Sequence, residues 1–201
     1  MVTERDFGVK PVLEGQTVVL RPFADEDWES MAGILDDREA KILTGSVGSG
    51  QEADQPMDSQ EREQIRSWYQ SRNQQTDRLD LAVVDKSSGM LIGEVVFNEY
   101  QACAGIVNFR ILLGAAGRNK GMGTEATALF VRYGFQALSL HKIELEVYSF
   151  NQRAEYVYQK SGFVLEGTKR ENFKFNNQYF DTKLYGLLRS EYMVGFGKGA
   201  V

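Results

Sequence analysis

The sequence predicts a single mixed α/β domain of the α+β type, and three observations carry that prediction. Three strand-like runs follow one another through short connections between residues 79 and 113, the pattern of an antiparallel meander. A glycine-rich turn then changes the apolar spacing from two to three-and-four, which opens a long amphipathic helix. Beyond it come an alternating strand, a short helix and two more strands.

Size and composition agree with one domain: 201 residues, 42% hydrophobic and 25% charged, enough to bury a core. The net charge is −5 and the basic residues are scattered, which argues against nucleic acid as a partner. The opening "MVTERDFGVKPV" carries charges where a secretory leader is apolar, and no run approaches the roughly 18 apolar residues of a membrane span. The expected location is therefore the cytoplasm, with no membrane contact. The single cysteine, Cys103, excludes an internal disulfide and offers no second thiol for a metal, so no metal site is expected. Residues 1–12 and the glycine-rich 195–201 read as flexible ends.

In chain order, "TVVLRPF" (17–23) has strand character, and "ADEDWESMAGIL" (24–35) follows as a helix with Asp25 as its N-cap. Residues 44–59 read as one long loop of functional length. A second helix spans 59–72, starting from Ser59, with Ile65, Trp68 and Tyr69 on one side. The meander is 79–85, 90–100 and 105–113. The long helix runs through Met122, Ala126, Leu129, Phe130, Tyr133 and Ala137, with Gly134 as a cost of about 1 kcal/mol against alanine. In "HKIELEVYSF" (141–150), Ile143, Leu145 and Val147 share one face, and Lys142, Glu144, Glu146 and Tyr148 share the other. A helix from Asn151 stops at Gly162, and the last two strands, "FVLEGTKREN" and "FDTKLYGLL", are linked through "FNNQ". That makes about seven strands.

The chemistry is expected at "GAAGRNKGMGTEA" (114–126). A glycine-rich turn entering a helix aims unpaired N–H groups at one point, and the helix dipole makes that point an anion site. Arg118 and Lys120 add charge, and Gly121 and Gly123 let a diphosphate approach the backbone. The nucleotide P-loop pattern is absent, because Lys120 precedes Gly121 instead of following a glycine ahead of Ser or Thr. Residues 121–126 do satisfy the dinucleotide fingerprint, but an antiparallel meander precedes them where that fold has its first parallel strand. A turn with no ligand is the third reading.

Two motifs in order raise the specificity. Arg118-Asn119-Lys120-Gly121-Met122-Gly123 resembles the R/Q-x-x-G-x-G/A turn with which GNAT N-acetyltransferases hold the pyrophosphate of acetyl-CoA, and "NQRAEYVYQKSGF" (151–163) resembles the family's N-x-x-A-x-x-x-Y-x-K-x-G-F block. The likeness runs through most of the chain, and is weakest over 36–78. It is similar to the branch containing ribosomal-protein alanine N-acetyltransferases and spermidine N-acetyltransferases. One departure is "LLGAAGR", where that branch often has proline after the strand.

The resemblance implies a GNAT fold: a mostly antiparallel sheet with helices on both faces and splayed central strands. It further implies acetyl-CoA as cosubstrate, bound along Ile111 and Leu113 and at Arg118, Asn119, Lys120, Gly121, Met122, Gly123, Thr124 and Asn151. Tyr158 matches the tyrosine that protonates the departing thiolate, and Glu146 stands where N-terminal acetyltransferases of the family carry a base. Tyr158 as a half-buried aromatic, Asn151 as a plain N-cap and Glu146 on a solvated face are the structural alternatives. His141 reads as structural.

The acceptor is expected to be a protein or peptide N-terminal amine. A polyamine is the alternative, with Glu94 and Glu144 as substrate-binding residues and Glu52, Asp54, Asp58, Glu61, Glu63 and Glu99 as further carboxylates. A CoA-binding sensor without catalysis is a second alternative. By analogy with the family, a homodimer would form through the C-terminal strands.

Overall fold

The computed structural model describes residues 7–195. One eight-stranded sheet runs through it in the order β1-β2-β3-β4-β5-β6-β8-β7, antiparallel at every junction except the parallel β5–β6 pair. The strands are β1 (Leu13–Glu14), β2 (Val18–Arg21), β3 (Leu79–Asp85), β4 (Leu91–Gln101), β5 (Ile106–Leu113), β6 (Lys142–Tyr148), β7 (Val164–Phe175) and β8 (Gln178–Leu188). The helices are α1 (Asp27–Leu35), α2 (Arg38–Thr44), α3 (Gly50–Ala53), α4 (Ser59–Ser71), α5 (Met122–Gln136), α6 (Gln152–Lys160) and α7 (Arg189–Gly195).

Two hydrophobic layers bury the two faces of the sheet. On one, Val95, Phe97, Phe109, Ile143 and Leu145 pack against Ala126, Phe130 and Tyr158 of α5 and α6. On the other, Ala82 and Leu91 meet Trp28, Met31 and Tyr69 of α1 and α4. The mostly antiparallel α/β architecture with helices on both faces is as expected. Gly134 is explained by proximity: a Cβ there would stand 3.0 Å from both Leu140 Cδ1 and Phe97 Cζ.

Several local expectations are corrected. Helix α1 starts at Asp27, with Glu26 and not Asp25 at the cap position. The reason is that Asp27 accepts from the Ala24 N–H at 2.8 Å and pairs with Arg21 at 2.6 Å, so its own carboxylate organises the turn. Helix α4 does start at Ser59, and Asp58 before it is the cap, accepting from the N–H groups of Gln60 and Glu61 at 2.8 Å each. The long loop expected over 44–59 contains α3, and α2 lies just before it in a stretch to which no element was assigned. Asp37 caps α2 through the Ala40 N–H, Gly45 closes it in the left-handed region at φ 70°, and Ser49 caps α3.

Residues 7–12 also depart from the loose end expected of 1–12. Phe7 is 2% exposed and its ring packs at a tilt against Tyr100 at 4.9 Å, while Lys10 Nζ donates to the carbonyls of Phe7, Gln75 and Arg78. Residues 1–6 and 196–201 lie outside the described residues. Strands β7 and β8 are longer than read, and meet in a two-residue turn at Asn176 and Asn177 with φ 48° and 63°, the all-positive turn that suits a twisted hairpin. No helix among the described residues is long and apolar enough to cross a membrane.

Candidate active site

Strands β5 and β6 are in register over only three residue pairs, Ile106 with Lys142, Val107 with Ile143 and Asn108 with Glu144. Beyond them the partners diverge: β5 stays on β4 as far as Leu113, and β6 follows β8 as far as Tyr148. The gap is the mouth of a cleft of about 840 Å³. Gly114 N–H donates to Ile92 O across the β4–β5 ladder at 2.9 Å. By the alternation of antiparallel bonding, Leu113, Ile111 and Phe109 therefore turn their backbone groups away from β4, and past the Asn108–Glu144 pair those of Ile111 and Leu113 meet no strand. The Leu113 carbonyl on that side accepts from Arg118 at 2.8 Å.

At the open end the chain bends through Asn119 at φ 60° and Gly121 at φ 79° into α5. Gly121 caps the helix without a side chain, and the first helical bond runs from Glu125 N–H to Gly121 O. The N–H groups of Met122, Gly123 and Thr124 are therefore the free first-turn donors of a 15-residue helix. A Cβ added at Gly121 would meet nothing within 4 Å, so that position is glycine for its backbone angle and not for packing. Gly123 and Thr124 line the cleft, whereas Met122 puts its side chain into the core and Lys120 stands outside the lining, in Coulombic reach of Asp85.

Arg118 needs a correction. Its side chain is 8% exposed, and its guanidinium donates to Leu113 O at 2.8 Å, Asp37 at 2.7 Å and Glu39 at 2.6 Å. Two carboxylates spend its charge, so it braces the turn against α2 instead of standing free for an anion. Glu39 also binds Arg153 of α6 at 2.8 Å. Neither acid was foreseen; Asp37 followed by Gly45 was the readable signal of a short capped helix.

Asn151 likewise fills its N-cap role, accepting from the Ala154 N–H at 3.2 Å and donating to Leu43 O at 3.4 Å. Tyr158, two turns on, is 5% exposed, its ring held edge-on by Phe109 at 6.2 Å and Phe163 at 6.0 Å. It lines the cleft, and among the described residues its hydroxyl has no hydrogen-bond partner. Burial raises its pKa above the ordinary phenol range, with Arg110 pulling the other way, so it stays protonated at neutral pH.

The opposite wall is polar. Asn108 donates to Asn98 at 2.8 Å, and Arg110, Glu144, Glu146 and Tyr148 follow along the two parted strands. Glu144 meets Lys142 at 3.3 Å, and Lys142 also holds Glu166 at 2.6 Å. Glu146 is 49% exposed and bridged to Lys169 of β7. Tyr148 rests on Phe173 and Phe150, at 4.3 and 5.4 Å, and against Gly45, where a Cβ would come within 2.5 Å of its ring. The loop after α2 is pinned beside it: Gly50 N–H donates to Asn176 Oδ1 at 2.9 Å, and Asn176 N–H to Gly48 O at 3.0 Å.

Glu94 is corrected as a substrate ligand. It is buried, bonded to Tyr69 Oη at 2.9 Å and to Arg72, which in turn meets the fully buried Asp80 at 3.3 Å. Arg78 completes the group with two bonds to Asp80 at 2.7 Å. This network ties α4 to the sheet.

Comparison with known proteins agrees with this geometry. Residues 17–164 match the family described as Acetyltransferase (GNAT) domain. The probable N-acetyltransferase YjcK of Bacillus subtilis is 28% identical over 181 residues, 90% of this chain and 98% of that protein. The spermidine N(1)-acetyltransferase of Vibrio cholerae is 33% identical over 111 residues, 55% of this chain and 64% of that protein. Among solved structures, spermidine N-acetyltransferase from Vibrio cholerae in complex with CoA and spermine superposes with a TM-score of 0.76 at 24% identity, over 89% of this chain and 99% of that one. A GNAT-family acetyltransferase from Bacillus anthracis gives 0.74 at 20% identity, covering 90% and 99%. The chain belongs to the GNAT family of N-acetyltransferases.

Proposed function

We propose that this cleft transfers acetyl from acetyl-CoA directly to a primary amine, most readily a protein or peptide N-terminal α-amine. The observation that carries the reading is the parting of β5 and β6 between two features: the free N–H groups of Met122, Gly123 and Thr124 at one end, and the unpartnered Tyr158 hydroxyl within. The helix terminus fits a pyrophosphate, and the open backbone of Ile111 and Leu113 fits an amide-bearing arm. Leu113 offers its N–H there, since Arg118 occupies its carbonyl.

In the transfer, an N–C bond forms as the C–S bond breaks. A backbone N–H of β5 polarises the thioester carbonyl, and Tyr158 gives its proton to the departing sulfur. The proton lost by the amine passes to the Glu144–Glu146 wall or to water beside it. An α-amine with pKa near 8 is about one-tenth neutral at pH 7, whereas a lysine-like amine near 10.4 is neutral about once in 2,500. The first needs little help, which suits carboxylates already paired with Lys142 and Lys169.

A polyamine acceptor is the second reading, favoured by the spermidine N(1)-acetyltransferase of Vibrio cholerae among the relatives. CoA release measured across peptides, polyamines and aminoglycosides separates the two. Faster turnover of peptides supports the first, faster turnover of spermidine the second, and silence on every amine would leave a CoA-binding module without catalysis.

A further inference from the structure

Arg110 stands apart from the other charged groups of the polar wall. Glu144 and Glu166 share Lys142, Glu146 has Lys169, and Glu94 has Arg72. Glu99, on a left-handed kink of β4 at φ 54°, is the unpaired acid of the lining, and Lys160 lies over the Tyr156 ring. Arg110 has neither an ion pair nor a hydrogen bond among the described residues.

Its position is informative. It lies two residues past Asn108, the last residue of β5 in register with β6, so its side chain projects where the strands have already parted. Strand alternation puts it on the face of Asn108 and Leu112, opposite the face of Phe109 and Ile111. It is close enough to Tyr158 and Tyr148 for its charge to act on both phenols. Glu146, across the gap, would be its natural partner, but Lys169 holds that carboxylate. An exposed cation without an ion pair therefore lines the same cleft as the proposed proton donor, within electrostatic reach of it.

Resting on the acetyltransferase reading above, we infer that the acceptor carries a carboxylate a few bonds from its reacting amine, and that Arg110 binds it. A planar guanidinium with all its donors free matches a carboxylate through two parallel hydrogen bonds. Such an anchor orients the amine as well as holding it. A polyamine would instead set a second ammonium against Arg110. The carboxylate could be the α-carboxylate of a free amino acid or the side chain of an N-terminal aspartate or glutamate.

The test is CoA release from wild type, Arg110→Gln, Arg110→Lys and Arg110→Glu with matched acceptors: alanine against alaninamide, a peptide starting Asp-Ala against one starting Asn-Ala, and spermidine. Wild type should prefer the carboxylate member of at least one pair by about tenfold or more in kcat/KM. The pair that shows the preference identifies the source of the carboxylate. Arg110→Gln should erase the preference, Arg110→Lys keep part of it, and Arg110→Glu shift it toward spermidine, with acetyl-CoA affinity unchanged in all three. Equal rates within both pairs in wild type, or an undiminished preference in Arg110→Gln, would overturn the proposal. Transfer to spermidine alone would overturn it and leave the acetyltransferase reading standing; transfer to no amine would overturn both.

Discussion

Asn108 and Glu144 are the last residues in register between β5 and β6, and the open backbone of β5, Arg110 and Glu146 all lie beyond that pair. Past it, β6 has β8 on its other edge and β5 has β4, so neither strand loses its sheet by parting from the other. The open backbone is thereby stable without a ligand.

Tyr158→Phe removes the proposed donor and keeps the ring contacts with Phe109 and Phe163. It is expected to lower kcat by about 10²- to 10⁴-fold with little change in KM for acetyl-CoA. In wild type the raised phenol pKa keeps the donor protonated, so alkaline loss of kcat from this group should begin above the ordinary tyrosine range. A steady-state pH profile of both proteins checks the split and the position of the limb.

Glu146→Gln should cost less. Its carboxylate is half exposed and already paired with Lys169, so substitution is expected to lower kcat/KM by less than about tenfold toward an α-amine. A larger loss in the same assay would make Glu146 the base itself.

Arg118→Ala tests the brace. It removes the donor to Leu113 O, leaves Asp37 without its cation and leaves Glu39 with Arg153 alone, an expected loss of about 1–3 kcal/mol by urea denaturation. Partial burial of Asp37 opposes its ionisation, but its hydrogen bonds from Arg118 and the Ala40 N–H outweigh this and hold its pKa below the ordinary value. A depressed folded-state pKa contributes stability that is present above the unfolded value of about 3.9 and lost as pH falls through the folded one. Acid destabilisation below pH 4 should therefore be weaker in the variant than in wild type.

Arg72→Met should be the more damaging change. It strands Glu94 beside the Tyr69 hydroxyl alone and removes one of the two cations on Asp80, costing about 3–5 kcal/mol in denaturant midpoint measurements. Glu94→Gln keeps a hydrogen-bond acceptor for Tyr69 and should cost less.

The legible parts of this protein were those written in local spacing. The alternation of Ile143, Leu145 and Val147 marked β6 and its two faces, and the periodicity after Gly121 marked α5. The splay itself was not readable from the residues, because it depends on which distant strand claims each edge; only the family resemblance implied it. Arg118 looked free because Asp37 lies 81 positions away, and Arg110 went unnoticed because an arginine in a strand has no signature. Phe7 was hidden in a charged segment with no periodicity around it.

The central claim is that the first turn of α5 holds the pyrophosphate of acetyl-CoA. Gly123→Asp places a carboxylate in that turn, where it suits the helix dipole and repels phosphate, and its Cβ meets only Leu113 Cδ1 at 3.1 Å. Calorimetric titration with acetyl-CoA should show one site per chain in wild type and none in a folded Gly123→Asp protein. Unchanged binding in the variant would contradict the claim.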